Sequence, residues 1–327
     1  MELELYKKNR ISELQKTYSN KISILQREMR NSISIIQRKR IITSVKKQQI
    51  SNLTTTYSSY ANTLTRQLNN DILNVKNYTP LQSSVGIKTA LLVGINYINS
   101  QNELYGCIND VSNFRDRLNS QGFTINTLTD FTEKKPTKQN ILDEFKSLLV
   151  GSKPGDLLCF MYSGHGSNIL DRNGDEKDGY DETLISCDLK SILDDELKTL
   201  INQYLKKDVT LFCIFDSCCS GTVLDLKYQF LDSMNYDKYT ENPKSVETLG
   251  NVYMISGCMD NQTSADAFIN NKPQGAMTWS LLECVSPSIT WRQLIKSMRN
   301  VLKTSGYTQT PQFSSSNFVD IDAIAFI

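Results

Sequence analysis

The residues best suited to covalent chemistry in this chain are a single histidine and a cysteine that each follow an apolar run. His165, the only histidine, lies four residues beyond the run 156–161, and Cys218 lies three residues beyond the run 211–215. Such runs predict buried strands, and open α/β sheets build their sites at the carboxyl ends of these strands. A neutral imidazole can take the proton of a thiol and stabilise the thiolate. We therefore expect the pair to serve as base and nucleophile of a cysteine hydrolase.

Either residue alone would carry little weight, because a lone cysteine after a strand is usually a core residue and a lone histidine is usually a satisfied polar group. Both, however, lie in turns that contain glycine, and Gly164 and Gly166 flank His165. Glycine allows the positive φ angles that expose a side chain beyond the strand end, and we expect them here. The amides of Gly166 and Cys218 are natural donors to an oxyanion. A second thiol, Cys219, leaves the nucleophile formally ambiguous.

Strands and helices are expected to alternate in the region that must position these residues. This alternation predicts an α/β fold with a mostly parallel central sheet between layers of helices. The expected strands are 87–95, 123–128, 156–161, 209–215 and 252–256, the expected helices are 103–120, 137–150, 195–205, 277–285 and 290–304, and a last apolar run covers 318–326.

Residues 1–80 differ from the rest of the chain, because they contain no glycine and only one proline, at their end. Apolar side chains recur there at steps of three and four, which predicts long amphipathic helices with a weak point near 38–49. The halves either fold back as a helical hairpin or pair with another chain as a coiled coil. Residues 81–86 are expected to be a linker, and 87–327 a second domain.

Composition restricts the class of protein further. Residues 1–50 carry 12 Lys and Arg against 4 Asp and Glu, whereas the whole chain has a net charge of +1. We interpret this basic surplus as a solvated helix face and expect no nucleic-acid partner. No apolar stretch reaches the roughly 20 residues of a membrane span, and no apolar leader is present. Reduced cysteines in apolar runs and the lack of a CxxC pair argue against a disulfide scaffold or a zinc site. The expected location is the cytoplasm.

Several short motifs occur in this chain in the order in which they occur in one known family. They are Gly94-Ile95-Asn96-Tyr97, Leu104-Tyr105-Gly106-Cys107-Ile108-Asn109-Asp110, Tyr162-Ser163-Gly164-His165-Gly166, Asp175-Glu176-Lys177-Asp178-Gly179-Tyr180-Asp181-Glu182, Asp216-Ser217-Cys218-Cys219-Ser220-Gly221-Thr222-Val223-Leu224-Asp225, Ile255-Ser256-Gly257-Cys258, Gln262-Thr263-Ser264-Ala265-Asp266, Gly275-Ala276-Met277-Thr278 and Gln312-Phe313-Ser314-Ser315-Ser316. The chain resembles the type I metacaspases, caspase-like cysteine peptidases, from Ile87 to its C-terminus.

The resemblance implies a caspase-like α/β/α sandwich in which His165 and Cys218 form a catalytic dyad. The Asp-Ser-Cys order of the family motif favours Cys218 over Cys219, although the family usually has another residue at the second position. The catalytic domain is expected to be monomeric.

The resemblance also maps Asp110, Ser163 and Asp216 onto a primary specificity pocket, with Cys107 on its wall. Two carboxylates at the base of a pocket favour a Lys or Arg side chain through charge-assisted hydrogen bonds. Protein or peptide substrates with Arg or Lys before the cut are therefore expected.

The family resemblance further places an activating calcium ion on four carboxylates. Converging carboxylates repel one another without a cation, and hard oxygen ligands suit Ca²⁺. The residues concerned are Asp181, Asp194, Asp195 and Asp225.

Two functions of different classes remain open. The first is a calcium-stimulated cysteine endopeptidase whose N-terminal segment covers the site as in a zymogen, tethers the enzyme, packs on the catalytic domain or self-associates. An enzyme of this specificity could process itself at Lys227, Lys238 or Lys244 in the polar loop 226–249, or at Arg38-Lys39-Arg40. The second is a catalytically weak caspase-like scaffold that acts through its N-terminal helical segment.

Overall fold

The computed structural model describes residues 2–39, 43–77, 86–170, 180–218, 223–230, 239–257, 266–269 and 272–325. The chain divides into two compact units, Met1–Leu81 and Gln82–Ile327. The expected linker lies outside the described residues except for Gly86, and so does Cys219.

The N-terminal unit consists of two long helices, α1 (Glu2–Arg38) and α2 (Thr43–Asn77). The Lys7 ammonium donates to the carbonyl of Lys76 at 2.8 Å, and the Tyr18 hydroxyl donates to the Asp71 carboxylate at 2.7 Å. Because the start of α1 meets the end of α2, the helices are antiparallel and form a hairpin.

The second unit has thirteen strands and five helices among the described residues. In chain order they are β1 (Lys88–Gly94), α3 (Cys107–Ser120), β2 (Thr124–Thr129), α4 (Lys138–Gly151), β3 (Leu157–Ser163), β4 (Gly166–Leu170), β5 (Tyr180–Ile185), β6 (Ser191–Leu193), α5 (Asp194–Tyr204), β7 (Thr210–Asp216), β8 (Tyr228–Phe230), β9 (Thr240–Glu241), β10 (Asn251–Ser256), β11 (Asp266–Ile269), β12 (Lys272–Gly275), α6 (Ala276–Cys284), α7 (Trp291–Thr304) and β13 (Gln312–Ser315).

An eight-stranded sheet with the order β2-β1-β3-β7-β10-β13-β8-β9 forms the centre of this unit. The five strands from β2 to β10 are parallel, whereas β13 runs antiparallel to β10 and β8, and β9 antiparallel to β8. Two smaller antiparallel sheets, β4-β5-β6 and β11-β12, accompany it. The expectation of a mostly parallel sheet is confirmed.

Alternate side chains of each central strand pack on opposite faces of the sheet. Leu91 and Val93 of β1 belong to a buried cluster with α4 and α5, whereas Ala90 and Leu92 belong to a second cluster with α3, α6 and α7. Strands buried on both faces account for the near-continuous apolar runs in the sequence. The fold is therefore an α/β/α sandwich.

One expected element was wrong in its bounds. The helix expected over 103–120 begins only at Cys107, because the Leu104 amide donates to the carbonyl of Asn96 at 2.8 Å and holds a loop there. In the apolar run 318–326, Ile324 forms an isolated bridge with Thr290. Within the described part of the chain, no helix is both long enough and apolar enough to cross a membrane.

Candidate active site

The two turns that carry His165 and Cys218 leave adjacent strands at the same level. Ser163 at the end of β3 is the register partner of Asp216 at the end of β7. The Gly164 amide then donates to the carbonyl of Asp216 at 3.3 Å. Because both strands point the same way, the two turns emerge side by side at the carboxyl edge of the sheet, as the sequence predicts.

Gly166 packs directly against the backbone of Cys218. A Cβ atom at Gly166 would lie 2.1 Å from the Cys218 carbonyl oxygen, a distance that no side chain tolerates. Glycine is therefore required at this position for reasons of space; the expected positive φ was wrong, since neither Gly164 nor Gly166 has one. The structure thus brings together the two residues whose amides are expected to serve as oxyanion donors.

The His165 ring is held by the loop between β1 and α3. Its Nε2 atom lies 2.7 Å from the carbonyl oxygen of Asn102. A carbonyl oxygen only accepts hydrogen bonds, so this contact assigns the ring proton to Nε2. The lone pair is then on Nδ1, the nitrogen that a base must use. Sequence reasoning did not find Asn102, since a backbone carbonyl has no residue-type signature.

Asp110 and Asp216 are both buried, with only 1% and 5% of their surfaces exposed. The Ser163 hydroxyl donates to Oδ2 of Asp110 at 2.8 Å. The amide and the hydroxyl of Thr278 both donate to Oδ2 of Asp216 at 2.8 Å. Each carboxylate is therefore fixed by donors from a neighbouring element.

The two carboxylates meet at Gly275, the last residue of β12. Its amide donates to Oδ1 of Asp110 at 2.8 Å, and a Cβ there would lie 2.2 Å from Oδ2 of Asp216 and 2.7 Å from Oδ2 of Asp110. The structure thus gathers Asp110, Ser163 and Asp216, as expected for one pocket. Gly275 and Thr278 belong to a motif in the sequence, but only the structure shows their contacts.

Helix α3 contributes two of the residues predicted for this pocket. Asp110 lies in its first turn, where a carboxylate is favourable beside the helix N-terminus. Cys107 opens the helix and is buried one turn before Asp110. The Asn109 side chain donates to the carbonyl of Pro273 at 2.8 Å, which ties β12 to the same helix.

A second acidic group surrounds the start of α5. Asp194 is 2% exposed, and among the described residues no side chain donates a hydrogen bond to its carboxylate. Burial, followed by the charges of Asp225 and Asp195, raises the pKa of Asp194 to about 8. The Lys198 ammonium lies 3.2 Å from Oδ2 of Asp225. Three of the four residues expected to bind calcium therefore influence one another electrostatically.

The fourth, Asp181, is buried in β5, two residues from the pairing of Thr183 with Leu193 that leads into α5. Among the described residues, no three or more His, Cys, Asp or Glu side chains are close enough together to bind a metal ion. The carboxylate oxygens of these four residues are ligands that suit a hard divalent cation. In this structure, the Lys198 ammonium lies beside the Asp225 carboxylate instead.

Comparisons with known proteins identify the family of this chain. Residues 88–227 match the family model of the metacaspase, peptidase C14 domain. Metacaspase-1 of Mycosarcoma maydis is 35% identical over 296 residues, which cover 74% of this chain and 73% of that protein. Metacaspase-1 of Schizosaccharomyces pombe is 34% identical over 294 residues, covering 72% and 69%. A crystal structure of a Geobacter sulfurreducens protein superposes with a TM-score of 0.54 and 26% identity, over 71% of this chain and 95% of that one.

The three-layer fold and these similarities define a cysteine-type peptidase of the caspase-like class. Within that class, the chain belongs to the metacaspase family.

Proposed function

We propose that this protein is a calcium-stimulated cysteine endopeptidase that cleaves after Arg or Lys by means of His165 and Cys218. The observation that carries the proposal is the contact between the two turns, in which Gly166 lies against Cys218 while Nε2 of His165 faces the carbonyl of Asn102. This arrangement leaves Nδ1 of His165 with the lone pair needed to accept a proton.

In the first step, the thiol proton of Cys218 passes to Nδ1 of His165 and the sulfur attacks the scissile carbonyl carbon. The same proton then passes to the leaving amine as the carbon–nitrogen bond breaks, and an acyl-enzyme remains. Water, deprotonated by His165, hydrolyses the thioester and restores the thiol. The amides of Gly166 and Cys218 are proposed to stabilise the oxyanion in both steps.

Selection of Arg or Lys is assigned to the carboxylates of Asp110 and Asp216. Their burial keeps their charge from being screened by salt, so a cationic side chain gains more from them than it would at the surface. The hydrogen bonds from Ser163 and Thr278 fix both groups before substrate binds, which lowers the cost of ordering them.

Calcium is assigned to the acidic group at α5. Asp194, Asp195 and Asp225, with Asp181 nearby in β5, would hold it through carboxylate oxygens. When bound, a divalent cation would supply a positive charge that offsets the burial and, after it, the repulsion from Asp225 and Asp195, which together raise the pKa of Asp194.

Self-processing is proposed within the loop 226–249. Lys244 is exposed, and exposed loop positions are preferred sites of proteolytic cleavage. The Lys227 ammonium lies 3.1 Å from the Glu247 carboxylate. Lys238 lies outside the described residues.

The proposal is tested by hydrolysis of an Arg-terminated fluorogenic peptide with millimolar calcium and then with chelator. Turnover should need calcium and should vanish in Cys218→Ala. Cys284→Ala is a matched control, because this half-buried cysteine at the end of α6 lies outside the proposed site. A folded protein that remains silent under all conditions would favour a scaffold function instead.

A further inference from the structure

The hydroxyls of Tyr97 and Tyr162 form hydrogen bonds with the main chain of His165, one with its amide and one with its carbonyl. We call these two tyrosines the clamp. The His165 amide donates to the Tyr97 hydroxyl at 2.9 Å, and the Tyr162 hydroxyl donates to the His165 carbonyl at 2.8 Å. The amide and the carbonyl of His165 therefore each form a hydrogen bond with a tyrosine side chain.

The same hydroxyls are tied to a third point, Ile185 at the end of β5. Tyr97 donates to the Ile185 carbonyl at 2.6 Å, and the Ile185 amide donates to the Tyr162 hydroxyl at 3.2 Å. The two hydroxyls are 3.1 Å apart. Each hydroxyl has a single proton, which Tyr97 gives to the Ile185 carbonyl and Tyr162 gives to the His165 carbonyl, so the approach of the two hydroxyls is a close polar contact and not a third donated bond.

Tyr97 also touches the imidazole itself. The Tyr97 and His165 ring centroids are 4.6 Å apart, with the ring planes inclined by 39°. Aromatic rings at this distance attract each other beyond simple burial. Among the residues of the clamp, Tyr97 is therefore the one that restrains both the backbone and the ring of His165.

The backbone around the clamp is shaped to admit it. Tyr97 has a φ of +52°, an uncommon conformation for a bulky residue, which must be held by its surroundings. At Gly164, a Cβ would lie 2.7 Å from the Tyr162 hydroxyl and 2.9 Å from the Tyr97 hydroxyl. Glycine before His165 therefore leaves the room that the two hydroxyls occupy.

Burial raises the pKa of both Tyr97 and Tyr162 above the usual value of 10. Both hydroxyls therefore keep their protons throughout the range in which a cysteine peptidase works. The clamp is a set of neutral hydrogen bonds and does not change its charge with pH in that range.

We propose that Tyr97 is a positioning residue that holds the imidazole of His165 with Nε2–H on the carbonyl of Asn102 and Nδ1 available as the base. The proposal rests on the proposed role of His165. Removal of the Tyr97 hydroxyl frees the His165 amide from its partner, and the ring can then leave the Asn102 carbonyl. A residue that only filled space would not affect the imidazole tautomer.

The test uses the fact that the chain contains a single histidine. Protein labelled with ¹⁵N-histidine gives ring signals from His165 alone, and these signals report which nitrogen carries the proton. The wild-type protein should show one species protonated on Nε2. Tyr97→Phe, which keeps the ring but removes the hydroxyl, should show exchange between tautomers.

In the same variant, kcat on the Arg peptide should fall about tenfold, since small misplacements of catalytic groups cost one to two orders of magnitude. KM should change less than about twofold, because substrate contacts are retained. Tyr204→Phe is the matched control, because this partly buried tyrosine at the end of α5 packs on the hydrophobic core and has no role in the proposed site. Its His165 signals and kcat should equal those of the wild type.

Unchanged His165 signals and unchanged kcat in folded Tyr97→Phe would overturn the proposal. If Tyr97→Phe does not fold, Tyr162→Phe removes the bond to the His165 carbonyl from the other side, and the same tautomer exchange is expected there. A single unperturbed tautomer in that variant would equally contradict the clamp. The nitrogen signals can be read in an inactive protein, so failure of the peptidase assay and failure of the positioning role are separate results.

Discussion

Replacing Asp216 by Asn tests the specificity pocket with little structural damage. In the wild type, Oδ2 of Asp216 accepts two hydrogen bonds from Thr278, at 2.8 Å each. The Asn side-chain oxygen can take that place and keep both bonds. The substitution then removes one buried negative charge but keeps the side chain at residue 216 in its place through the two hydrogen bonds from Thr278.

The size of the effect follows from the burial of this group, which is 5% exposed. A hydrogen bond to a charged partner contributes about 1.5–3 kcal/mol, and a factor of ten in rate corresponds to about 1.4 kcal/mol. The value of kcat/KM for an Arg peptide should therefore fall about 10- to 150-fold. A Gln peptide of the same sequence should lose little, so the ratio of Arg to Gln cleavage should fall by the same factor.

The assay compares peptides that differ only at the residue before the cut. Asp208→Asn is the matched control, because Asp208 is exposed in the turn before β7 and has a φ of +61°, which Asn tolerates. Its selectivity should equal that of the wild type. An Arg-to-Gln ratio that stays within about twofold in Asp216→Asn would refute the pocket assignment, as would a wild-type preference for Asp peptides.

Three further substitutions have defined outcomes. Gly166→Ala would place a Cβ 2.1 Å from the Cys218 carbonyl, so kcat should fall at least about tenfold in a protein that circular dichroism shows to be folded; full activity would show that the turns need not touch. At Asp188, burial raises the pKa, but hydrogen bonds from Ser186, Lys138 and Lys190 outweigh it and lower the pKa from 3.8 to about 2. Asp188→Ala should therefore lose about 1 kcal/mol of unfolding free energy above pH 4, after allowance for solvent screening, and this difference should vanish as the pH falls toward 2. Urea unfolding at several pH values measures it, and a loss independent of pH would contradict the linkage. Lys198→Met removes the cation beside Asp225, so the melting temperature in chelator should fall by about 2–4 °C and calcium should raise it more than in the wild type; identical melting curves would argue against calcium at this site.

The parallel part of the sheet could be predicted because each strand is buried on both faces and therefore reads as a continuous apolar run. The strand β13 could not, since Gln312, Ser314 and Ser315 are polar although they lie buried within the sheet. Their burial is decided by the strands on either side, and no local pattern records it. The small sheet β4-β5-β6 escapes prediction for a different reason, because β4 is exposed and Ser167 and Asn168 give it no apolar pattern.

At the candidate site, residue types identified the side chains but not what holds them. A histidine, a cysteine and two aspartates after strands or at a helix start have recognisable chemistry. By contrast, the Asn102 carbonyl lies 63 positions before His165, and Thr278 lies 62 positions after Asp216. Contacts over such separations depend on the strand order, which the sequence does not specify locally.

The most direct test of the dyad is covalent labelling by a peptidyl chloromethyl ketone that ends in Arg, followed by peptide mapping. The reagent alkylates the thiolate that the adjacent base activates. We expect a single adduct on Cys218, which disappears in His165→Ala and persists in Cys284→Ala. An adduct on Cys219, or labelling of Cys218 that does not depend on His165, would contradict it.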